Sequence, residues 1–310
     1  MLATSAEVIA SFKALSPNAI PLSGVAKYTA KGDLLYVDPK SGFLTSARKM
    51  SATDIVGYWS QKIFSSSDPE DYSALNPFAQ GRLLYALLTY RKFLSDSGCT
   101  PANTHLCDFA TGQGVLLELA KQHAADWTLS GTEDSAPLVN SLVSRGFNVV
   151  KTGLGLSESN IAGKLGAAPN LGALCWTLCN CIDPLAVLLH IHSTLADDGY
   201  LCVAESSRIL VPFRKSLGDL LSCVHPADSH PFYFSHRSLA ALLKVAGFEP
   251  VYVNRHFDSD VLIIIARKTA TIDLDQTIEV DDPKTVVAFM ENWIVASEYF
   301  DSSLRPASRP

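Results

Sequence analysis

The sequence predicts an α/β fold, a doubly wound and mostly parallel sheet with helices on both faces. Three observations carry that prediction. Between residues 105 and 204, short apolar runs alternate with helical patterns at the spacing of βαβ units. The run Leu106-Cys107-Asp108-Phe109 passes directly into small residues, Ala110-Thr111-Gly112-Gln113-Gly114, and then into an amphipathic helix. After residue 247 two strand-like runs are separated by a turn too short for a crossover, so they must pair antiparallel.

The N-terminal part reads as an extension, residues 1–70. A short helix near its start is capped at Thr4 or Ser5 and ended by Ser16-Pro17-Asn18. Residues 33–46 carry a hairpin signal, two strand-like pieces around Pro39-Lys40-Ser41. Ser51 and Asp54 open a helix over 52–64 with a capping-box-like pattern. The core domain is placed at 71–268. There a long helix runs from Pro77 to about Ser95, with Leu83, Leu84, Leu87, Leu88 and Tyr90 apolar. Strands follow at 105–109, 127–131, 147–151, 171–178 and 200–204, with helices at 113–124, 136–145, 157–165 and 184–196 between them. Residues 206–235 break the pattern and read as a functional insertion with one helix near 212–222. A helix over 236–246 precedes the antiparallel strands 248–255 and 260–267. Residues 269–310 form a tail with a helix at 282–297, whose apolar face reads as core or as a homodimer contact.

Composition narrows the function. The chain has 310 residues, is 47% hydrophobic and 18% charged, and carries a net charge of −6. Its lysines and arginines are scattered, which excludes the concentrated basic face of a nucleic-acid binder. No apolar stretch is long enough to cross a membrane. The 7 cysteines are an odd number and several sit in strand-like runs, so reduced thiols in a cytoplasmic protein are expected, not a disulfide framework.

The glycine loop is a cradle for a ligand. Glycines let the backbone approach closely, and helix-start N–H groups face the same point. About 20 residues on, at the tip of the second strand, Glu133 is placed to accept hydrogen bonds from ribose hydroxyls, with Asp134 as the alternative. Both dinucleotides and S-adenosylmethionine use such an arrangement. Asp108 separates them, because a carboxylate before the loop repels a pyrophosphate and holds a cationic amino-acid head group.

Residues from about 70 to 268 resemble a class I S-adenosylmethionine-dependent methyltransferase. Residues 106–114 match the family's first signature, with the small Ala110 at the usual first glycine. Glu133 matches the ribose acid. Thr177 to Pro184 falls where a large subgroup carries Glu-His and then Asp-Pro; Asp183-Pro184 is present, and Cys179-Asn180 replaces Glu-His. Strand 200–204 with Glu205 matches the fifth-strand motif. His230 to Leu239, followed by Ala246-Gly247-Phe248, is similar to a segment of bacterial methyltransferases of sugars and surface polysaccharides. Deoxysugar C-methyltransferases carry Glu-His there; this chain keeps His230 and has Ser229 in the place of Glu. Their N-terminal module often binds zinc through cysteines, but no cysteine precedes Cys99, so no metal is expected.

The resemblance implies a Rossmann-like seven-stranded sheet and S-adenosylmethionine as cofactor. It implies cofactor contacts from Tyr72, Asp108, Ala110, Thr111, Gly112, Gln113, Gly114, Glu133, Asp134, Thr177, Leu178 and Cys179, and a lid from helix 52–64 and Tyr72. The substrate is expected over the carboxyl ends of the strands, near Asn180, Glu205 and the 206–235 insertion. A hydroxyl nucleophile needs a base, and His230 is the first choice, with Tyr233, His225 and His236 behind it; His236 reads better as a helix cap. Asn180 is suited to orient a hydroxyl. Arg208, Arg214 and Lys215 are suited to a phosphate or carboxylate. The expected substrate is a small hydroxylated molecule, a sugar or polysaccharide precursor, methylated on oxygen in preference to carbon. The alternatives are another metabolite or natural product, a nicotinamide oxidoreductase, and a catalytically silent binding domain.

Overall fold

The computed structural model describes residues 1–29, 32–46, 51, 53–54, 57–58, 77–98, 103–153, 160–206, 208–212, 216–221, 230–254, 261–269 and 275–304. The chain opens on β1 (Leu2–Thr4) and α1 (Ser5–Lys13). Thr4 Oγ1 accepts the Glu7 N–H at 3.2 Å and the Glu7 carboxylate accepts the Thr4 N–H at 3.0 Å, the reciprocal cap that fixes this helix start. The short strands β2 (Ile20–Leu22), β3 (Leu35–Val37) and β4 (Leu44–Ser46) follow. The β3–β4 turn closes because Asp38 Oδ1 accepts the N–H groups of Lys40 and Ser41 at 2.9 and 2.8 Å. Of the helix expected at 52–64, Thr53, Asp54, Gly57 and Tyr58 are described, as helix, and Ser51 Oγ accepts the Asp54 N–H at 3.1 Å.

The domain that follows runs α2 (Pro77–Asp96), β5 (His105–Phe109), α3 (Val115–His123), β6 (Thr128–Glu133), α4 (Ala136–Ser144), β7 (Asn148–Lys151), α5 (Ile161–Lys164), β8 (Leu171–Cys175), α6 (Pro184–Thr194) and β9 (Tyr200–Glu205). Then come α7 (Leu217–Leu221), β10 (Phe232–Tyr233), α8 (His236–Val245), β11 (Phe248–Val253), β12 (Leu262–Lys268), β13 (Thr277–Glu279) and α9 (Pro283–Leu304).

The main sheet has seven strands in the order β11-β12-β9-β8-β5-β6-β7. Strands β5 to β9 are parallel, and β12 runs against both of its neighbours. From β5 the chain winds outward to β6 and β7, then returns to β8 and β9 on the other side. The order therefore reverses between β5 and β8, which opens a crevice at the carboxyl ends of those strands. The central strands are buried on both faces and accordingly read as continuous apolar runs, most clearly Leu262-Ile263-Ile264-Ile265-Ala266. One face packs Phe109, Leu174, Leu188, Leu242 and Ile264; the other packs Tyr90, Leu94, Leu116, Leu171 and Ile263.

Three features depart from the sequence reading. The fourth parallel strand stops at Cys175, because Trp176 adopts a positive φ of 54° and turns the chain into a 3₁₀ turn at Leu178–Asn180. β10 joins β2, β3 and β4 in a separate four-stranded sheet, and β1 pairs with β13. The tail helix α9 extends to Leu304, and its Val286, Met290 and Trp293 are buried with Val37, Leu44 and Tyr233. That face is core.

Candidate active site

The loop after β5 is stitched to β6. The Thr111 N–H donates to Thr132 O at 2.9 Å, and the Thr111 hydroxyl donates to Asp108 O at 2.8 Å. A Cβ at Gly131 would lie 2.3 Å from Thr111 Oγ1, so a glycine is needed beneath that side chain. Gly114 has φ +81°, and a Cβ there would lie 2.3 Å from Leu142 Cδ2 on α4. Gly112, at φ +57°, has nothing within 4 Å of its Cβ direction. The loop therefore presses its last glycine against the fold and presents its middle one to open space. Ala110 has φ +58°. Its departure from glycine concerns conformation more than size, since a left-handed alanine costs about 1 kcal/mol.

Glu133 ties the same loop to the next helix. Its Oε2 accepts the Gly112 N–H at 2.9 Å, and its Oε1 accepts the N–H groups of Asp134 and Ser135 at 3.0 and 2.9 Å. Asp134 is not the cap of α4; that position is Ser135, and Glu133 satisfies the first N–H groups. Burial raises the Glu133 pKa against the pull of these three donors. Asp108 is 4% exposed and its carboxyl makes no hydrogen bond to any described residue. Burial, and then the charge of Glu133, push its pKa well above the usual carboxylate range.

The opposite lip is the end of β8. The Trp176 N–H donates to Ala204 O at 2.7 Å, and the Arg82 guanidinium lies 4.4 Å from the Trp176 ring centroid. The Thr177 hydroxyl donates to Cys175 O at 3.0 Å. Leu178 and Cys179 are buried in the core, so they offer the site backbone, not side chains. Glu205, at the end of β9, holds this turn: its Oε1 accepts the Leu178 N–H at 2.7 Å, and the Cys179 thiol lies against it. Asn180 Nδ2 donates to Trp176 O at 3.2 Å, and its Oδ1 is buried without a partner among the described residues.

Glu205 is completely buried, and that burial raises its pKa to about 7. A carboxyl raised in the folded state costs nothing while the unfolded chain is also protonated. It costs progressively more as pH climbs from the unfolded value near 4.5 through the folded value near 7. Glu205→Gln is therefore expected to flatten the pH dependence of stability, removing roughly 3 kcal/mol of the loss between pH 5 and pH 8. Urea unfolding at both values measures this, and an unchanged difference would mean that Glu205 is ionised in the fold.

On the acceptor side, β10 pairs with β4 and lies against the 178–180 turn. The His230 ring is 5.8 Å from that of Tyr233. Tyr233 is 3% exposed and packs in the core of the small sheet. Ser235, not His236, caps α8: its Oγ accepts the N–H groups of Arg237 and Ser238 at 3.1 and 3.0 Å and donates to Asp281. His236 is the first residue of the helix, and burial, then Arg208, lower its pKa. Arg208 is 8% exposed, and its Nε and Nη1 are buried without a partner among the described residues. Tyr72, Arg214, Lys215, His225 and Ser229 lie outside the described residues. Among the described residues no three His, Cys, Asp or Glu side chains converge as a metal site, and no helix is long and apolar enough to cross a membrane.

A sequence profile described as a methyltransferase domain matches residues 79–253, more than half of the chain. The chain belongs to this methyltransferase family. The fold of this methyltransferase is that of the S-adenosylmethionine-dependent kind. Among curated proteins none matches it. Among solved structures it is similar to PigF with S-adenosylhomocysteine, at 18% identity over 53% of this chain and 50% of that one, TM-score 0.42. It is similar to human N-acetylserotonin methyltransferase, at 15% identity over 71% of this chain and 57% of that one, TM-score 0.47. It is also similar to a Burkholderia thailandensis 1,6-didemethyltoxoflavin N1-methyltransferase, at 16% identity over 76% of this chain and 98% of that one, TM-score 0.49. The methyltransferase thus spans only about half the length of the first two. Likeness at this level says nothing about substrate.

The residues present fit the family's cofactor. The open side of Gly112 leaves room for a ligand against the backbone. At the end of β5 the buried Asp108 carboxyl has no positive partner among the described residues, which an α-ammonium group would supply, and the Glu133 carboxylate has lone pairs left to accept further hydrogen bonds. Gln113 is buried, and its backbone carbonyl accepts from Arg145, which braces the loop. Sequence reasoning passed over Trp176 and Arg82. Neither a positive φ nor a cation stacked from a distant helix leaves a mark in the local sequence.

Proposed function

We propose that this methyltransferase methylates a hydroxyl of a small acceptor, with a sugar or polysaccharide precursor as the substrate class. The observation that supports the methyl-transfer reading is the buried Asp108 carboxyl, without a hydrogen bond to any described residue, at the end of the strand that leads into a loop whose Gly112 faces open space. S-adenosylmethionine, when bound, supplies a methyl group activated by its sulfonium. The chain's part is to hold the reactants in line, exclude water and accept a proton. Asp108 and Glu133 bind the charged and ribosyl ends, with Asp134 at the rim, and the backbone of Ala110 to Gly114 and of Thr177 to Cys179 lines the cleft. Asn180 orients the acceptor, its Oδ1 accepting from a hydroxyl next to the one that reacts. The reacting hydroxyl oxygen gains the methyl group as the methyl–sulfur bond breaks, and loses its proton to His230, whose imidazole is suited to the task near neutral pH. In this reading residues 71–268 are the catalytic unit, 1–70 its lid and support, and 269–310 a buttress. The setting is the cytoplasm, where the free thiols stay reduced.

Turnover with labelled S-adenosylmethionine across a panel of hydroxylated acceptors tests this. His230→Ala is expected to keep cofactor affinity and lose about a hundredfold or more in kcat. A His230→Ala enzyme with full turnover would remove the proposed base.

A further inference from the structure

We infer that the acceptor carries an anionic group, a phosphate or a carboxylate, and that the Arg208 guanidinium binds it; this rests on the proposed methyl transfer. Arg208 follows three residues after the end of β9, at the carboxyl edge of the sheet where the acceptor belongs. The Ile209 N–H donates to Phe234 O at 3.1 Å, which ties this segment alongside β10, and β10 lies against the 178–180 turn. Arg208 therefore stands on the same rim as Asn180 and the His230–Tyr233 pair.

Among the described residues its surroundings offer no counter-charge. Arg208 is 8% exposed, Nε and Nη1 are fully buried, and the side chain makes no hydrogen bond or ion pair with any described residue. The charged neighbours that share its environment through His236 are Arg237, itself a cation, and Glu279, whose carboxylate is taken by Arg237 at 3.0 Å. A guanidinium cannot shed its proton to escape burial. A buried charge without a partner destabilises a fold, so its retention points to a partner that arrives with the substrate. Its planar fork of N–H donors matches two oxygens of one phosphate or carboxylate, a geometry that an ammonium group lacks.

The test uses the full chain loaded with S-adenosylhomocysteine, titrated in separate arms with inorganic phosphate and with acetate. One or both are expected to bind saturably, and the arm that binds names the group. Arg208→Gln is expected to weaken that binding by at least about tenfold and leave S-adenosylhomocysteine affinity unchanged. Arg208→Met should raise the unfolding midpoint, because a buried unpaired charge is removed. A wild-type protein that binds S-adenosylhomocysteine but neither anion overturns this inference and leaves the methyltransferase reading standing. Failure to bind S-adenosylhomocysteine overturns both. Arg208 variants with a lowered midpoint and unchanged anion affinity would make Arg208 a packing residue.

Discussion

Glu133→Ala is expected to weaken S-adenosylmethionine binding by about a hundredfold or more. A charge-assisted hydrogen bond is worth about 1.5–3 kcal/mol, and a hundredfold corresponds to about 2.7 kcal/mol. Glu133 makes three such bonds before any ligand arrives, to the N–H groups of Gly112, Asp134 and Ser135. Its loss removes the ribose acceptor and also releases the middle of the glycine loop from β6. Part of the stability lost returns, because burial and the neighbouring Asp134 already strain the charge, and because Glu133 itself raises the Asp108 pKa. The variant should therefore stay folded, with binding hit harder than stability. Glu133→Gln keeps one acceptor oxygen and should fall between. Calorimetric titration paired with urea unfolding measures both quantities, and an unchanged affinity in Glu133→Ala would mean that the ribose acid is misassigned.

Gly114→Ala is expected to be the most damaging small substitution in the loop, costing about 3 kcal/mol. Two terms add. A left-handed φ of +81° costs a non-glycine residue about 1–2 kcal/mol, and the new methyl would meet Leu142 Cδ2 at 2.3 Å. Leu142 is fully buried with Leu117 and Phe147, so it has no free space to swing into, and overpacking of this kind costs about 1–3 kcal/mol. Gly112→Ala is the control, with the same backbone sign but nothing within 4 Å of the added methyl. It should cost only the backbone term in stability while obstructing the ligand. Equal stability losses at the two positions would contradict the division of labour drawn for these glycines.

The parts of the fold that the sequence made legible are those with local signatures. The alternation from β5 to β9, the glycine loop and the antiparallel pair β11–β12 follow from periodicity and punctuation, and all were placed to within a few residues. Glu133 was legible because strand-tip position is a local property. What stayed hidden depends on distant partners. β1 and β13 are three residues each and form only by pairing across most of the chain. β10 reads as part of an irregular insertion until β4 supplies its partner. The sequence points to His236 as the cap of α8, whereas Ser235 takes that place, its hydroxyl also donating to Asp281 on another part of the chain. The isolation of Arg208 is likewise tertiary: the sequence offers it, with Arg214 and Lys215, as a cation suited to a phosphate or carboxylate, and only burial singles it out as lacking a partner among the described residues.

Calorimetric titration of the intact chain with S-adenosylmethionine, S-adenosylhomocysteine and NAD bears most directly on the central claim. The buried Asp108 carboxyl, which no described residue pairs, calls for a cationic head group, so the first two should bind with micromolar or tighter affinity while NAD, with its pyrophosphate, should not. Binding of NAD with neither of the others would contradict the assignment of this cleft to methyl transfer.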